Sequence, residues 1–558
     1  MRIRWTGLLD ARFLIMASAF VAVAVITIYP MLHLVARSFL VEGQLSLMNY
    51  VRAFTIEGNL EAIYNSLWVS GLVTLLSVVI GTALAWLTSR TDIGRKNILR
   101  TMFMVPFSIP PFIGAMAWIR LFGPAGLANE LLSYLAGVRR EIFDVYSPLG
   151  IVLVLTMHYY PFVFINVVGA LDRMDPTLEE SARISGAGVF QTMLTITIPL
   201  VAPAIIAGGI LAFIGTIENF GIPAMLGLRA RFYVLPTVIY RLLHVPDIPS
   251  ATALSILLIG VTVIALLAQR WILGRRKYAV ISGKAIQPRI ARLGPWKPIL
   301  TGFSWLLVFL IVLLPLFAVF VTALTKYVGA PLTPENFTAK YFWYILFEFP
   351  MTQRAILNSL FLALSAATIT MFLGSVVSYM KVKAKTPGSE ILDTIGTIPY
   401  AIPGIVIGVS MILAWSVGPI VLYGTIWIML MAYVMRYLPS SLRSSNATLQ
   451  QIDNSLEEAA RTSGASWLDA FKDIVLPLLR PGMLAGWILV FMPAFRELTI
   501  SVLLWSIGTE TVGVATFELQ DAGYKEIAAA LACIVMAVAL VGDSIIWRIR
   551  GWVERAPT

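Results

Sequence analysis

The feature that most constrains this chain is a set of long, nearly uncharged apolar runs. Residues 13–34, 67–87, 151–171, 251–268, 300–324 and 360–380 are runs of this kind, each close to or beyond the roughly 18 residues that a bilayer-spanning helix needs. Backbone polar groups inside lipid must bond to one another, so such runs fold as helices. Charge content agrees, since only 13% of the 558 residues are Asp, Glu, Lys or Arg, against about 25% in a soluble domain. The expected fold class is an all-α membrane protein.

The same reading, carried between charged loops, gives twelve spans near 13–36, 66–88, 101–121, 149–171, 201–220, 251–273, 300–324, 359–380, 391–415, 419–440, 482–505 and 526–547. With the N-terminus inside, the cytoplasmic loops collect Arg90, Arg95, Lys96 and Arg100, then Arg275, Arg276, Lys277, Lys284, Arg289, Arg292 and Lys297. Lys381, Lys383, Lys385, Arg548, Arg550 and Arg555 join them. Glu42, Glu57, Glu61, Glu335, Glu348, Glu510, Glu518 and Asp521 fall on the other side. Lys and Arg gather on the cytoplasmic side of membrane proteins, so both termini are expected there. The net charge of +11 then reflects loops facing the lipid surface and calls for no nucleic acid. No small-residue cleavage site follows the first apolar run, which is expected to remain as a span. The single cysteine, Cys533, and the scattered His33, His158 and His244 have no disulfide or metal-ligand spacing. No metal site and no cofactor bound by the chain are expected.

The chain repeats itself. Residues 171–200 align without a gap on 449–478, pairing Asp175 with Asp453, Glu179 with Glu457, Glu180 with Glu458, Ala182 with Ala460, Arg183 with Arg461 and Gly186 with Gly464. The offset is 278 residues and carries on to Pro203 and Pro481. Upstream the offset is 293: Asn65-Ser66-Leu67 falls on Asn358-Ser359-Leu360, and Pro106 and Pro110 on Pro399 and Pro403. The difference is a longer loop in the first half, around 122–148. Six spans per half is an even number, so the halves are expected to be parallel repeats about an axis along the membrane normal. The expected division is a first half over 1–273, a cytoplasmic linker over 274–299 and a second half over 300–558.

The strongest repeated segment is polar and cytoplasmic. It reads Thr177-Leu178-Glu179-Glu180-Ser181-Ala182-Arg183-Ile184-Ser185-Gly186 in one half and Ser455-Leu456-Glu457-Glu458-Ala459-Ala460-Arg461-Thr462-Ser463-Gly464 in the other. Thr177 with Glu180, and Ser455 with Glu458, fit a capping box. Gly186 and Gly464 fit a left-handed helix stop. Two short helices joined at a glycine are expected, the second running to Pro199 or Pro477. Nothing in the chain forms a Gly-x-x-x-x-Gly-Lys-Ser/Thr phosphate loop. Its nearest approach, Ser282-Gly283-Lys284-Ala285, lacks the first Gly and the hydroxyl.

These segments, 175–200 and 453–478, resemble the Glu-Ala-Ala loop of ABC importer permeases: Glu-Ala-Ala, three residues, Gly, then an apolar stretch ending in Leu-Pro. Here they are Glu458-Ala459-Ala460 with Gly464, and Glu180-Ser181-Ala182 with Gly186. Ser181 departs from Ala, and Ile198-Pro199 stands where the second half has Leu476-Pro477. The six-span pattern around each loop extends the resemblance over nearly the whole chain. It implies a permease of the bacterial inner membrane in which Glu179, Glu180, Ala182, Gly186, Glu457, Glu458, Ala460 and Gly464 couple to two copies of a separate ATPase subunit. ATP and Mg would sit on that subunit, and this chain would not be an enzyme. Glu180 and Glu458 would dock, cap their own helices, or do both.

For the pathway, Pro106 and Pro110 interrupt the third span and Pro399 and Pro403 the ninth. Such breaks persist where they line a cavity or are shielded by neighbouring helices. Glu218 and Glu497 follow Pro203 and Pro481 by fifteen and sixteen residues, about 22–24 Å along a helix. Carboxylates at that depth are candidates to face a passing cation, with pairing to Arg496 or another helix as the alternative. Glu218-Asn219-Phe220-Gly221-Ile222-Pro223, the stretch 495–504 and the linker pieces Pro288-Arg289 and Leu293-Gly294-Pro295-Trp296 resemble fused ferric-iron permeases. That resemblance implies Fe³⁺ delivered by an extracytoplasmic binding protein. Related fused permeases carrying thiamine, aminoethylphosphonate, polyamines or small anions remain open. An ion-coupled secondary transporter also has two six-span repeats but no reason for duplicated coupling loops.

Overall fold

The computed structural model describes residues 11–137, 142–245, 247–274 and 290–553. Among these, nine helices are long and apolar enough to cross a membrane: Leu14–Phe39, Asn59–Arg90, Pro148–Arg173, Val189–Ile217, Ile248–Gly274, Trp296–Leu324, Pro350–Val382, Phe471–Phe495 and Lys525–Gly542. The third and ninth spans are bent pairs. Lys96–Ser108 meets Pro111–Leu135 at 101°, and Ser389–Ala401 meets Gly404–Trp415 at 114°. Proline has no N–H to continue the ladder and clashes with the preceding turn, so the break falls at Pro110 and Pro403. The tenth span is Ile426–Gln451. Each of the twelve expected runs is thus helical.

The largest differences from the sequence reading are at three spans and one loop; the tenth span, expected over 419–440, is Ile426–Gln451. The fifth and eleventh spans were expected over 201–220 and 482–505, yet the helices are Val189–Ile217 and Phe471–Phe495. Both start well toward the repeated polar loop and stop just before Glu218 and Arg496. Lys472, Asp473 and Arg480 lie in the eleventh helix and hide its start from a hydropathy reading. Between the fifth and sixth spans, where a loop was expected, Gly221–Ala230 and Leu235–His244 form a third bent pair at 76°. It is seated on buried Ile222, Leu226, Leu235, Val238 and Ile239. Val512–Asp521 takes the corresponding place in the second half. Of the expected linker, residues 275–289 lie outside the described residues.

The second, fourth and fifth spans pack together, as do the eighth, tenth and eleventh. Close approach is set by repeated small residues. A Cβ at Gly81 would lie 2.8 Å from Val163 Cβ, and one at Gly374 would lie 2.9 Å from Ser441 Cβ. These are the same two positions of the repeat.

The first span of each half lies on the other half. Ala19 and Val23 pack with Val377, Leu392, Leu438 and Leu442, and Tyr29–Phe39 lies along Gly404–Trp415. Reciprocally, Val308 and Val312 pack with Leu99, Phe103 and Tyr160. The chain entering the seventh span is also stitched to the first half: Asp92 accepts from Leu293 N at 2.9 Å and from Lys297 Nζ at 3.1 Å. Those two donors hold the Asp92 carboxyl below its ordinary range.

Candidate functional site

The repeated segments form the short helices Thr177–Ile184 and Asn454–Thr462. Both stop at glycines with φ +90° and +92°. Ala187 N and Ala465 N reach back to Ala182 O and Ala460 O, each at 3.0 Å, a left-handed stop that satisfies the last carbonyls. The expected capping boxes do not form. Asp175 and Asp453, two residues upstream, accept from Thr177 N and Ser455 N at 2.9 Å instead. An Asp there caps as well as Ser or Thr, and these amides hold both carboxyls below their ordinary range. Thr177 and Ser455 are therefore not the caps, and Glu180 and Glu458 close no box.

The paired glutamates separate by direction. Glu179 turns inward: Oε2 lies 3.1 Å from Arg90 Nε, in an ion pair whose side chains are 13% and 3% exposed, and Oε1 accepts from Thr197 Oγ1 at 2.6 Å. Glu457 accepts from Tyr379 Oη at 2.8 Å. Lys383, at the repeat position of Arg90, bonds Asn454 Oδ1 at 2.7 Å and the Ile452 carbonyl. Glu180 and Glu458 have no such partner among the described residues. Around them Leu178, Ile184, Phe190 and Leu456 are 48%, 88%, 69% and 45% exposed, more apolar surface than short polar helices ordinarily show.

A second cluster lies where the halves meet. Glu218, just past the end of Ile198–Ile217, is bonded by Arg436 of the second half, Nη2 to Oε1 at 3.1 Å and Nη1 to Oε2 at 3.5 Å. Arg436 Nη1 also donates to Ile402 O at 2.8 Å. That carbonyl belongs to the residue before Pro403 and was left without a ladder partner by the break. On the other side Arg496 of the second half donates to Ser108 O of the first, at the break before Pro110. Pro106 lines a small apolar cavity with His158. The broken spans are thus held by cations at their freed carbonyls, and the Pro106/Pro110 and Pro399/Pro403 segments lie at the interface between halves.

Glu218 and Glu497 are not repeat equivalents. At the 278-residue offset Glu218 falls on Arg496, and Asn219 on Glu497. The bonding follows this register: Asn219 Oδ1 accepts from Ile222 N at 3.0 Å, as Glu497 accepts from Ile500 N at 3.0 and 3.1 Å. Glu497 also takes Ser501 N at 3.3 Å, so it caps the turn that follows it. The residue the sequence reading passed over is Arg436. Its signal was available, since His158-Tyr159-Tyr160-Pro161 and Arg436-Tyr437-Leu438-Pro439 stand at the same offset. One side of the interface therefore pairs Arg436 with Glu218, and the other sets His158 beside Arg496.

Two parallel six-span halves, each with a polar helix pair and a broken span at the interface, define a transport permease. The chain belongs to the family of binding-protein-dependent transport system inner membrane components, whose pattern matches residues 77–278 and 370–553. It is the permease subunit of an ABC importer, a multi-pass membrane protein and a transport subunit. A Haemophilus influenzae protein provisionally named a ferric transport system permease is 30% identical over 495 residues, 87% of this chain and 76% of its own. The ferric transport system permease protein of Actinobacillus pleuropneumoniae is 28% identical over 500 residues, 87% of this chain and 71% of its own. The molybdenum transport system permease protein of Escherichia coli is 31% identical over 215 residues, 38% of this chain and 92% of its own.

Proposed function

We propose that this chain imports Fe³⁺ handed to its outer face by an extracytoplasmic binding protein, driven by two copies of a separate ATPase subunit at its cytoplasmic face. The observation that carries the cargo is the similarity to two ferric permeases across 87% of the chain. Both halves and the region between them take part in that likeness.

The partner reading rests on the two helix pairs. Glu179 and Glu457 tie each helix to its own half, leaving Glu458, Leu178, Leu456 and the tight turns at Gly186 and Gly464 facing outward, with Glu180 half-buried beside the Arg90–Glu179 pair. The first glutamate of each pair positions the helix and the second docks; Ala182 and Ala460 permit close approach. Closure of two ATPases would draw the helices together and rock one half against the other. The Glu218–Arg436 pair, which crosses the halves, acts as a latch on the pathway. The two bodies that move are built on the second, fourth and fifth spans and on the eighth, tenth and eleventh, each carrying the other half's first span, with both termini on the cytoplasmic side of a bacterial membrane.

Uptake of radiolabelled Fe³⁺ by cells with and without the gene, alongside a Gly464→Asp variant, tests this. Uptake that needs the gene and fails in the variant supports cargo and coupling together. Iron uptake that is unchanged by deletion removes the cargo assignment and moves the search to molybdenum, thiamine, phosphonates and polyamines.

A further inference from the structure

We infer that the two ATPase seats of this chain are unequal: the first holds its ATPase copy by burying apolar surface, the second by ion pairs. Both are the seats of the function proposed above, and the inequality rests on that reading. The helices Thr177–Ile184 and Asn454–Thr462 have no buried residue. Short helices draw most of their stability from packing, so these two are short of it unless a partner covers them.

The repeat allows the two seats to be compared position by position. Among the described residues between 177 and 195, the exposed charge is Arg183, because Glu179 pairs with Arg90 and Glu180 is half-buried beside that pair. Between 455 and 473, Glu458, Arg461, Asp469, Lys472 and Asp473 are all exposed. Apolar surface runs the other way. Ile184, 88% exposed, falls on Thr462, and Leu194, 47% exposed, falls on Lys472. Gln191 and Thr195 fall on Asp469 and Asp473. Leu178 falls on Leu456, and Val189-Phe190 on Trp467-Leu468, so those positions are apolar in both halves and the difference does not come from them.

Charge favours a protein surface over the membrane as the occupant. An anionic leaflet attracts clustered Lys and Arg, whereas the exposed charges of the second seat are three acids against two bases. Two copies of one ATPase present the same face to both seats. Recognition then falls to what the seats share: Leu178 and Leu456, Arg183 and Arg461, and the turns at Gly186 and Gly464. The residues that differ set strength and salt dependence. Apolar burial follows the area removed from water and is not screened by added salt. Ion pairs at an exposed surface are screened. The second seat is therefore the one that rising ionic strength empties.

The test uses the full chain in nanodiscs with its purified ATPase subunit, without nucleotide. Cys533→Ala removes the one cysteine, and Ser185→Cys or Ser463→Cys then adds a single exposed thiol at one seat to carry a benzophenone photocrosslinker. Crosslinking against ATPase concentration reads the Kd at each seat in about 0.1 M and about 1 M KCl, between which the screening length falls from about 10 to about 3 Å. The Kd read from Ser463→Cys is expected to rise about tenfold between the two salts, and that from Ser185→Cys by less than about twofold. A further chain carries Thr462→Ile, Asp469→Gln, Lys472→Leu and Asp473→Thr, which copy the first seat onto the second at exposed positions. Its second seat should keep its low-salt Kd in about 1 M KCl. Equal salt dependence at the two seats, or a copied seat that still empties in salt, overturns the inequality and leaves ATPase docking in place. No crosslink at either seat in low salt removes the docking reading, and the inequality with it.

Discussion

Arg436 holds Glu218 across the two halves of the chain, at 3.1 and 3.5 Å, while keeping a 2.8 Å bond to the carbonyl before Pro403. One side chain therefore ties a broken span of the second half to the end of a span of the first.

Loosening that tie is expected to favour opening. Glu218→Gln keeps the shape and removes the charge; the two side chains are 21% and 25% exposed, so the loss is about 1–3 kcal/mol, below the value for a fully buried pair. The measurement is basal ATP hydrolysis by the reconstituted complex without binding protein, expected to rise several-fold. Hydrolysis unchanged in both Glu218→Gln and Arg436→Gln would show that the pair is not a latch.

The coupling turn is expected to be sensitive to a single methyl group. Gly464 has φ +92° with open space around it, so Gly464→Ala meets backbone strain and no clash, about 1 kcal/mol. Retention of the ATPase subunit on purification should fall modestly in Gly464→Ala and severely in Gly464→Asp. Equal retention in all three proteins argues against docking at this turn.

Arg90 is expected to matter more to stability than its place in a loop suggests. It is 3% exposed, pairs with Glu179 at 3.1 Å and donates to Leu171 O at 2.9 Å. Arg90→Met strands the Glu179 carboxylate and should destabilise by about 3–5 kcal/mol, read as a lower thermal midpoint in detergent. Adding Glu179→Gln should recover part of that loss.

The helix caps set a pH dependence of known sign. Asp175 and Asp453 are held below their ordinary range by the amides they accept, so their stabilisation is complete above the unfolded value of about 3.9. It is lost as pH falls through the lowered folded value. Amide exchange over 454–462, corrected for intrinsic rate, should be flat near neutrality and quicken in acid. Asp453→Ala should quicken it at neutral pH, and Asp453→Asn should abolish the acid dependence while keeping the cap.

Glycine at the repeated crossing points should resist substitution. A Cβ at Gly374 already meets Ser441 Cβ at 2.9 Å and backbone at 3.0 Å, so Gly374→Leu is expected to disrupt packing by about 1–3 kcal/mol or more. Yield of folded protein by size-exclusion chromatography reads the effect.

The coupling helices were legible because they occur twice, in register, with glycines whose role is conformational. The capping boxes were misread because the Thr-x-x-Glu pattern is satisfied in spelling while Asp175 and Asp453 reach the same amides from upstream. The bent pair Gly221–Ala230 with Leu235–His244 escaped because its apolar residues are shared between two short helices and resemble loop in a long hydropathy window. Arg436 escaped because a charge inside the polar end of a span looks like a boundary. Its partner, at Glu218, is 218 residues away in the chain, and local pattern has no access to such a pairing.

The exchange of first spans has a consequence for how the protein is made. Tyr29–Phe39 leaves the ribosome long before Gly404–Trp415, against which it finally rests. At about 5–20 residues per second the interval is roughly 20–70 s, during which the opening helix is in lipid without its final neighbour. A nascent first half therefore cannot reach its finished packing alone. Joining both halves in one polypeptide ensures that the missing seat is always delivered by the same translation event.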